Sequence, residues 1–289
     1  MCVLLTVAGM PGGGAAGSTD LRYAGLDARV VARGLDCPRG LAFGPRGELY
    51  VAEAGRGDHE SGAVTVVDFG HRWRVLTRLP STVVAGGVSG PADVLAGDDG
   101  ELVHVGSDGL HRGRTLVTVG RRPVAVLAVD RGYLVVDAGG DALLRVSARG
   151  RVQVVATIPG VSSVAVGPDG AWYAGAGSRI WRVVPGRVRR VWASGFSGIT
   201  DLAWSPEGRL YVLEAGALSR LSGAGGRETV LVAGLTEPGG LVIRGVDAYL
   251  TDCGTCRGAG TILRVRVAGD PTLTPGGRAA VRTTAFLAV

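Results

Sequence analysis

The sequence predicts an all-β protein: a six-bladed β-propeller whose N-terminal strand closes the last blade. Three observations predict it. One phrase recurs six times along the chain: a short apolar strand, a turn built on Gly, Pro or Asp, and a second apolar strand. Further β-patterned runs separate most copies, so each unit reaches four strands, which is the signature of a propeller blade. Fifty glycines among 289 residues, with no triplet period, suit the tight turns that many short strands require.

The copies define the blades in order. Residues 34–54 read GLDCPRGLAFGPRGELYVAEA and residues 90–106 read GPADVLAGDDGELVHVG. Residues 121–139 read RRPVAVLAVDRGYLVVDAG, with the turn one residue shorter. Then come GVSSVAVGPDGAWYAGAG (160–177), GFSGITDLAWSPEGRLYVLEA (195–215) and GLTEPGGLVIRGVDAYLTDCG (234–254). Each copy is a hairpin by its own chemistry, because proline sets φ and glycine takes the positive-φ turn position. Third strands follow at 142–147, 179–184 and 261–267, and fourth strands at 152–158, 188–194 and 228–234. A β-sandwich needs no phrase recurring at the same place in every unit, whereas a closed ring does and leaves only short, protected edges.

Closure is read from the two ends. The last copy has no evident fourth strand, while Ala28-Arg-Val-Val-Ala-Arg-Gly34 precedes the first and matches the fourth-strand phrase LVAGL at 231–235. Residues 28–33 are therefore expected to complete the last blade. Ala279 to Leu287, also rich in β-formers, is the alternative donor. The domain reading is a signal-peptide remnant or flexible tail over 1–20, the propeller over 21–270, and a tail over 271–289 packed outside or disordered.

Composition narrows the partners. The chain is 46% hydrophobic and 19% charged, with a formal charge of +6 carried entirely by arginine. Those arginines are scattered singly apart from short clusters such as Arg121-Arg122 and Arg187 to Arg190. A nucleic-acid binder concentrates its charge on one face, so no nucleic acid is expected. No stretch is long enough for a membrane span. The start, Met1-Cys-Val-Leu-Leu-Thr-Val-Ala-Gly-Met10 followed by small residues, looks like a signal peptide without its basic region. An extracellular or cell-envelope location is expected, with the cytoplasm as the alternative, and the protein is expected to be a monomer.

GLDCPRGLAFGPRGELYVAEAGRG, RLPS at 78–81, SGPADV, GITDLAWSPEGRLYVLE and DCGTCRGAGTILRV occur in this order. Together they resemble the ScyD/ScyE family, over about residues 28 to 267, and more loosely the NHL-like and TolB-like propellers, which include lyases and lactonases. The resemblance implies a six-bladed propeller, commonly exported, with no established molecular activity. Two departures stand out. The family's cysteine-containing insertion is shortened here to Asp58–Gly62, and Pro91-Ala92-Asp93 lacks the family's frequent histidine beside the aspartate.

Aligning the copies puts Glu53, Asp137, Glu214 and Asp252 at one position, just after the second strand, and Asp93 and Asp201 at another, beginning the innermost strand. A ring of these carboxylates at the channel mouth would suit Ca²⁺ or Mg²⁺, with Glu53, Asp93, Asp201 and Asp252 as metal ligands. Mutual repulsion would also raise a carboxylate pKa. The other reading is structural, since an acid ending a strand commonly bonds nearby backbone amides. Arg39, Arg56 and Arg257 belong to the same face, and His59 in the shortened loop is the one histidine expected near the mouth. Cys37 before the first blade, and Cys253 and Cys256 after the last blade's second strand, meet across the closure. A disulfide from Cys37 to Cys253 or Cys256 is expected. No serine sits in a nucleophile elbow and no glycine loop opens a helix, which argues against triad and phosphate chemistry. Two functions result. One is a non-catalytic scaffold binding a small molecule or protein through the loop-rich face. The other is a metal-dependent, lactonase-like hydrolase or lyase.

Overall fold

Every repeat copy folds as the two inner strands of one sheet. The computed structural model describes residues 24–25, 28–68, 70–222, 226–253 and 257–267. Within them lie six antiparallel sheets and no helix, so none is present there that could cross a membrane. Blade 1 is Pro38–Phe43, Leu49–Glu53, Asp58–Asp68 and His71–Val84, extended by Gly87–Ser89. Blade 2 is Asp93–Ala96, Leu102–Gly106, Gly109–Arg112 and Thr115–Val117. Blade 3 is Pro123–Val129, Gly132–Asp137, Ala142–Ser147 and Val152–Thr157, and blade 4 is Val161–Val166, Trp172–Ala176, Arg179–Val183 and Arg190–Ser194. Blade 5 is Ile199–Trp204, Leu210–Glu214, Ala217–Ser222 and Gly226–Ala233. Blade 6 is Leu241–Arg244, Asp247–Asp252 and Gly260–Arg266, completed on its outer edge by Ala28–Leu35.

The seam is therefore where the sequence puts it. Ala28 pairs with Val265 and Val30 with Leu263. A short preceding strand, Ala24–Gly25, pairs with Ala233 and Val232 on the edge of blade 5, so the start of the chain clasps two blades. Ala279 to Leu287, and the expected leader over 1–20, lie outside the described residues.

Four of the six inner hairpins use one turn. In GPRGE, GDDGE, GPDGA and SPEGR the first residue (Gly44, Gly97, Gly167 or Ser205) receives the fifth residue's carbonyl at 2.8 Å through its N–H. The fourth residue, always glycine, donates back to the first residue's carbonyl. That glycine has positive φ, from 72° at Gly170 to 93° at Gly47, which an L side chain rarely adopts. Blades 3 and 6 turn through two residues, Asp130-Arg131 and Gly245-Val246.

The core is six layers, one between each pair of neighbouring blades. Leu213, Leu218 and Val232 of blade 5 meet Leu250, Leu263 and Val265 of blade 6. Equivalent layers join blades 4 and 5, 3 and 4, 2 and 3, and 1 and 2. The sixth layer closes the ring, as Leu35 and Ile262 pack on Leu41, Leu49 and Val51. At ~1.5–3 kcal/mol per fully buried aliphatic side chain, these layers drive closure. Polar bonds then fix its register: Thr251 donates its hydroxyl to Arg39 O (2.8 Å), and Arg244 donates to Gly47 O (2.8 Å).

Candidate functional site at the channel mouth

The four strand-end carboxylates face backwards into their own blades. Glu53 accepts from the Asp36 N–H (2.5 Å) and, by a short bond, from the Thr65 hydroxyl. Glu214 repeats this with the Ser197 N–H (2.7 Å) and the Ser219 hydroxyl (2.8 Å). Asp252 accepts from the Thr236 N–H (2.6 Å), and Asp137 from the N–H groups of Arg121 and Arg122 (3.0 and 2.8 Å). In each case the donor lies 15 to 17 residues upstream, in the loop that enters the blade. The repeated acid is thus a clamp holding each entry loop against the second strand. Blades 2 and 4 have Gly106 and Ala176 at this position.

Asp93 and Asp201 occupy the innermost strands of blades 2 and 5, which are opposite members of the ring. Asp93 accepts from its neighbour Val94 N–H (2.8 Å) and from Val126 N–H of blade 3 (2.9 Å). Asp201 does the same with Leu202 (2.8 Å) and with Leu241 of blade 6 (2.7 Å). Burial pushes Asp93 up to about 8, with the Asp201 charge adding to the rise and the two N–H donors opposing it. Burial likewise pushes Asp201 up to about 7. The wall is tight at Asp93: a β-carbon on Gly40 of blade 1 would fall 1.9 Å from its Oδ1.

The expected cation ring is accordingly not assembled. Among the described residues no three His, Cys, Asp or Glu side chains come together as a metal set. Glu53, Asp93, Asp201 and Asp252 instead spend their oxygens on separate backbone amides. For Glu53 and Asp252 the cause is orientation toward their own entry loops, and for Asp93 and Asp201 it is bonding to the neighbouring blade.

What the mouth does contain is a cavity of about 700 Å³ lined from all six blades, by Arg39, Ser107, Arg122, Ser162, Thr200 and Pro238 among others. The blade 1 extension, a hairpin pairing Val83 with Val88 and Val84 with Gly87, borders it. Arg39 anchors this hairpin by donating to Val88 O (3.3 Å). Of the expected mouth residues, Arg39 alone lines the cavity. His59 is exposed in the third strand of blade 1 with φ 59°, away from the lining. No carboxylate is among the lining residues.

The seam has no disulfide of the expected kind. Cys37 is a buried free thiol packed with Ala54 and Val88. Burial pushes its pKa up, and Arg39 opposes this. Cys253 is disulfide-bonded, but Cys37 is not its partner, and Cys256 lies outside the described residues. An ion-pair cluster stands at the seam instead. Asp36, missed in the sequence, takes Arg56 Nε on both carboxylate oxygens (3.0 Å each) and Arg74 Nη2 (3.0 Å). Arg56 thus neutralises Asp36 rather than a channel ring. Arg257 is exposed.

No protein-family model matches the chain, and no curated protein matches it. Its backbone is similar to solved structures. A gluconolactonase from Xanthomonas campestris superposes with TM-score 0.64 at 14% identity, over 85% of this chain and 92% of that one. Regucalcin from Agrobacterium tumefaciens, a calcium-binding protein, gives 0.63 at 16% identity, over 86% and 96%. Virginiamycin B lyase from Staphylococcus aureus gives 0.57 at 13% identity, over 85% and 100%. At these identities the likeness establishes the fold: the chain is a six-bladed β-propeller of the architecture shared by these gluconolactonase, regucalcin and lyase structures.

Proposed function

We propose that this protein is a non-catalytic binding propeller, exported and ScyD/ScyE-like, that takes a small molecule in its channel mouth. The observation carrying this reading is the cavity of about 700 Å³ to which every blade contributes. That volume lies within the range of small-molecule sites, which are concave, largely apolar and carry a few convergent polar groups. The carboxylates that acid–base or metal chemistry would use are bonded to backbone amides instead.

The test is a small-molecule thermal-shift screen on the protein and on Ser107→Trp, which puts an indole into the mouth from an exposed turn. Ligands that raise the melting temperature of the parent but not of the variant support the reading. The second reading, a Ca²⁺- or Mg²⁺-dependent hydrolase or lyase, draws on the similarity to structures described as gluconolactonase, regucalcin and lyase. Calcium-dependent lactone hydrolysis by chelator-treated protein, abolished in Asp93→Asn and in Asp201→Asn, would favour it over the binding scaffold.

A further inference from the structure

Resting on that reading of the mouth, we infer that its ligand is an organic anion, a small carboxylate with an apolar body whose carboxylate is gripped by Arg39 and Arg122. These two residues both line the cavity, from the segments that enter blades 1 and 3. Neither has an ion-pair partner among the described residues. Arg39 makes one side-chain hydrogen bond, to Val88 O at 3.3 Å, and the Arg122 side chain makes none. A guanidinium carries five N–H donors in a planar fork, so most of this donor capacity is unspent within the chain.

The charge balance points the same way. Burial lowers the pKa of Arg39, and the Arg122 charge lowers it further, while the buried Cys37 thiol and Glu237 oppose this. Glu237 is exposed in the loop entering blade 6, and it forms no ion pair with Arg39 among the described residues. A desolvated Arg39 next to the charge of an exposed Arg122, in a cavity with no lining carboxylate, is what an incoming anion would relieve. A carboxylate matches the guanidinium fork, which grips it through two parallel N–H bonds. The remaining wall, with Val84, Val88, Val161 and Ile199, offers an apolar surface for the rest of the molecule.

The experiment titrates 2-naphthoate, and its neutral counterpart 2-naphthalenemethanol, into the full chain by calorimetry, comparing it with Arg39→Met, Arg122→Met and Ser107→Trp. Circular dichroism confirms that each variant is folded. The expected result is that naphthoate binds the parent and is weakened about tenfold or more by each arginine substitution. It should also be excluded by Ser107→Trp, while the alcohol binds weakly and equally to parent and arginine variants. Should Arg39→Met loosen the Val84–Ser89 hairpin, Arg122→Met carries the test alone, since its side chain supports no other group. Alcohol binding as tight as naphthoate, or naphthoate affinity unchanged in Arg122→Met, overturns the anion while leaving the binding pocket standing. So does naphthoate that fails to bind when the thermal-shift screen finds other ligands blocked by Ser107→Trp. A screen that finds no ligand at all overturns the pocket itself.

Discussion

The channel mouth and the innermost strands each carry a pair of ionisable side chains, and they use them in opposite ways. On the wall, Asp93 and Asp201 each accept two backbone N–H bonds, one from the next blade. At the mouth, Arg39 and Arg122 have one side-chain hydrogen bond between them. Burial acts on both sets, raising the acids and lowering Arg39. A charge whose bonding capacity is satisfied within the chain belongs to the fold, and one left facing an open cavity is available to a ligand.

The largest expected effect tests the wall through pH. Burial pushes Asp93 up to about 8 and Asp201 up to about 7 in the native protein, against about 3.9 for an unperturbed aspartate. Between those limits the native state holds protons that the unfolded state has released. Their contribution is therefore complete below about pH 4 and is lost as pH rises through 7 and 8. Stability should fall by up to about 1.4 kcal/mol per pH unit for each acid across that window. Urea midpoints should decline from pH 5 to about pH 8 and level off by pH 9, and the Asp93→Asn, Asp201→Asn double variant should flatten the decline. A profile equally steep in that variant would remove the wall acids from the account.

Gly40→Ala comes next. The added methyl meets the Asp93 carboxylate at 1.9 Å and the Asp93 Cα at 2.9 Å, so backbone as well as side chain must move. Such overpacking should cost about 3 kcal/mol, read as a fall in the urea midpoint, while Gly160→Ala, with open space around it but positive φ (71°), should cost only about 1 kcal/mol of backbone strain. Glu214→Ala follows. It strips the acceptor from the Ser197 N–H and the buried Ser219 hydroxyl and should destabilise by about 2 kcal/mol. Equal losses for Gly40→Ala and Gly160→Ala would show that the wall is not tightly packed around Asp93.

How much of this was legible depends on whether the signal is local. The Gly- and Pro-containing turns, the inner hairpins and the closing strand expected at 28–33 follow from sequence pattern, and the strand stands over Ala28–Leu35. The alignment of Glu53, Asp137, Glu214 and Asp252 was legible too, but not their role. One spacing serves a ring or a clamp, and the rotamer toward the entry loop decides between them. Cys37 lies beside the closure as expected, yet its thiol turns into an apolar cluster with Ala54 and Val88. Arg122 was hidden as half of an ordinary basic pair, because only the blade geometry brings it to the same cavity as Arg39. The hairpin bordering the mouth has a local signal too, since Thr-Val-Val-Ala-Gly-Gly-Val-Ser (82–89) is itself strand, turn and strand.

The smallest expected effect is the most discriminating. Arg122→Met should leave the urea midpoint at neutral pH within about 0.5 kcal/mol of the parent, because the side chain is exposed and bonds nothing in the chain. Removing one of two neighbouring cations could even stabilise slightly, by relieving the repulsion that lowers Arg39. A loss above about 1 kcal/mol would make Arg122 a structural residue like the wall acids, and the contrast between mouth and wall would collapse. A neutral or favourable result, with ligand affinity reduced, leaves the two regions as distinct as their bonding: one holds the ring together, and the other keeps its donors for what enters it.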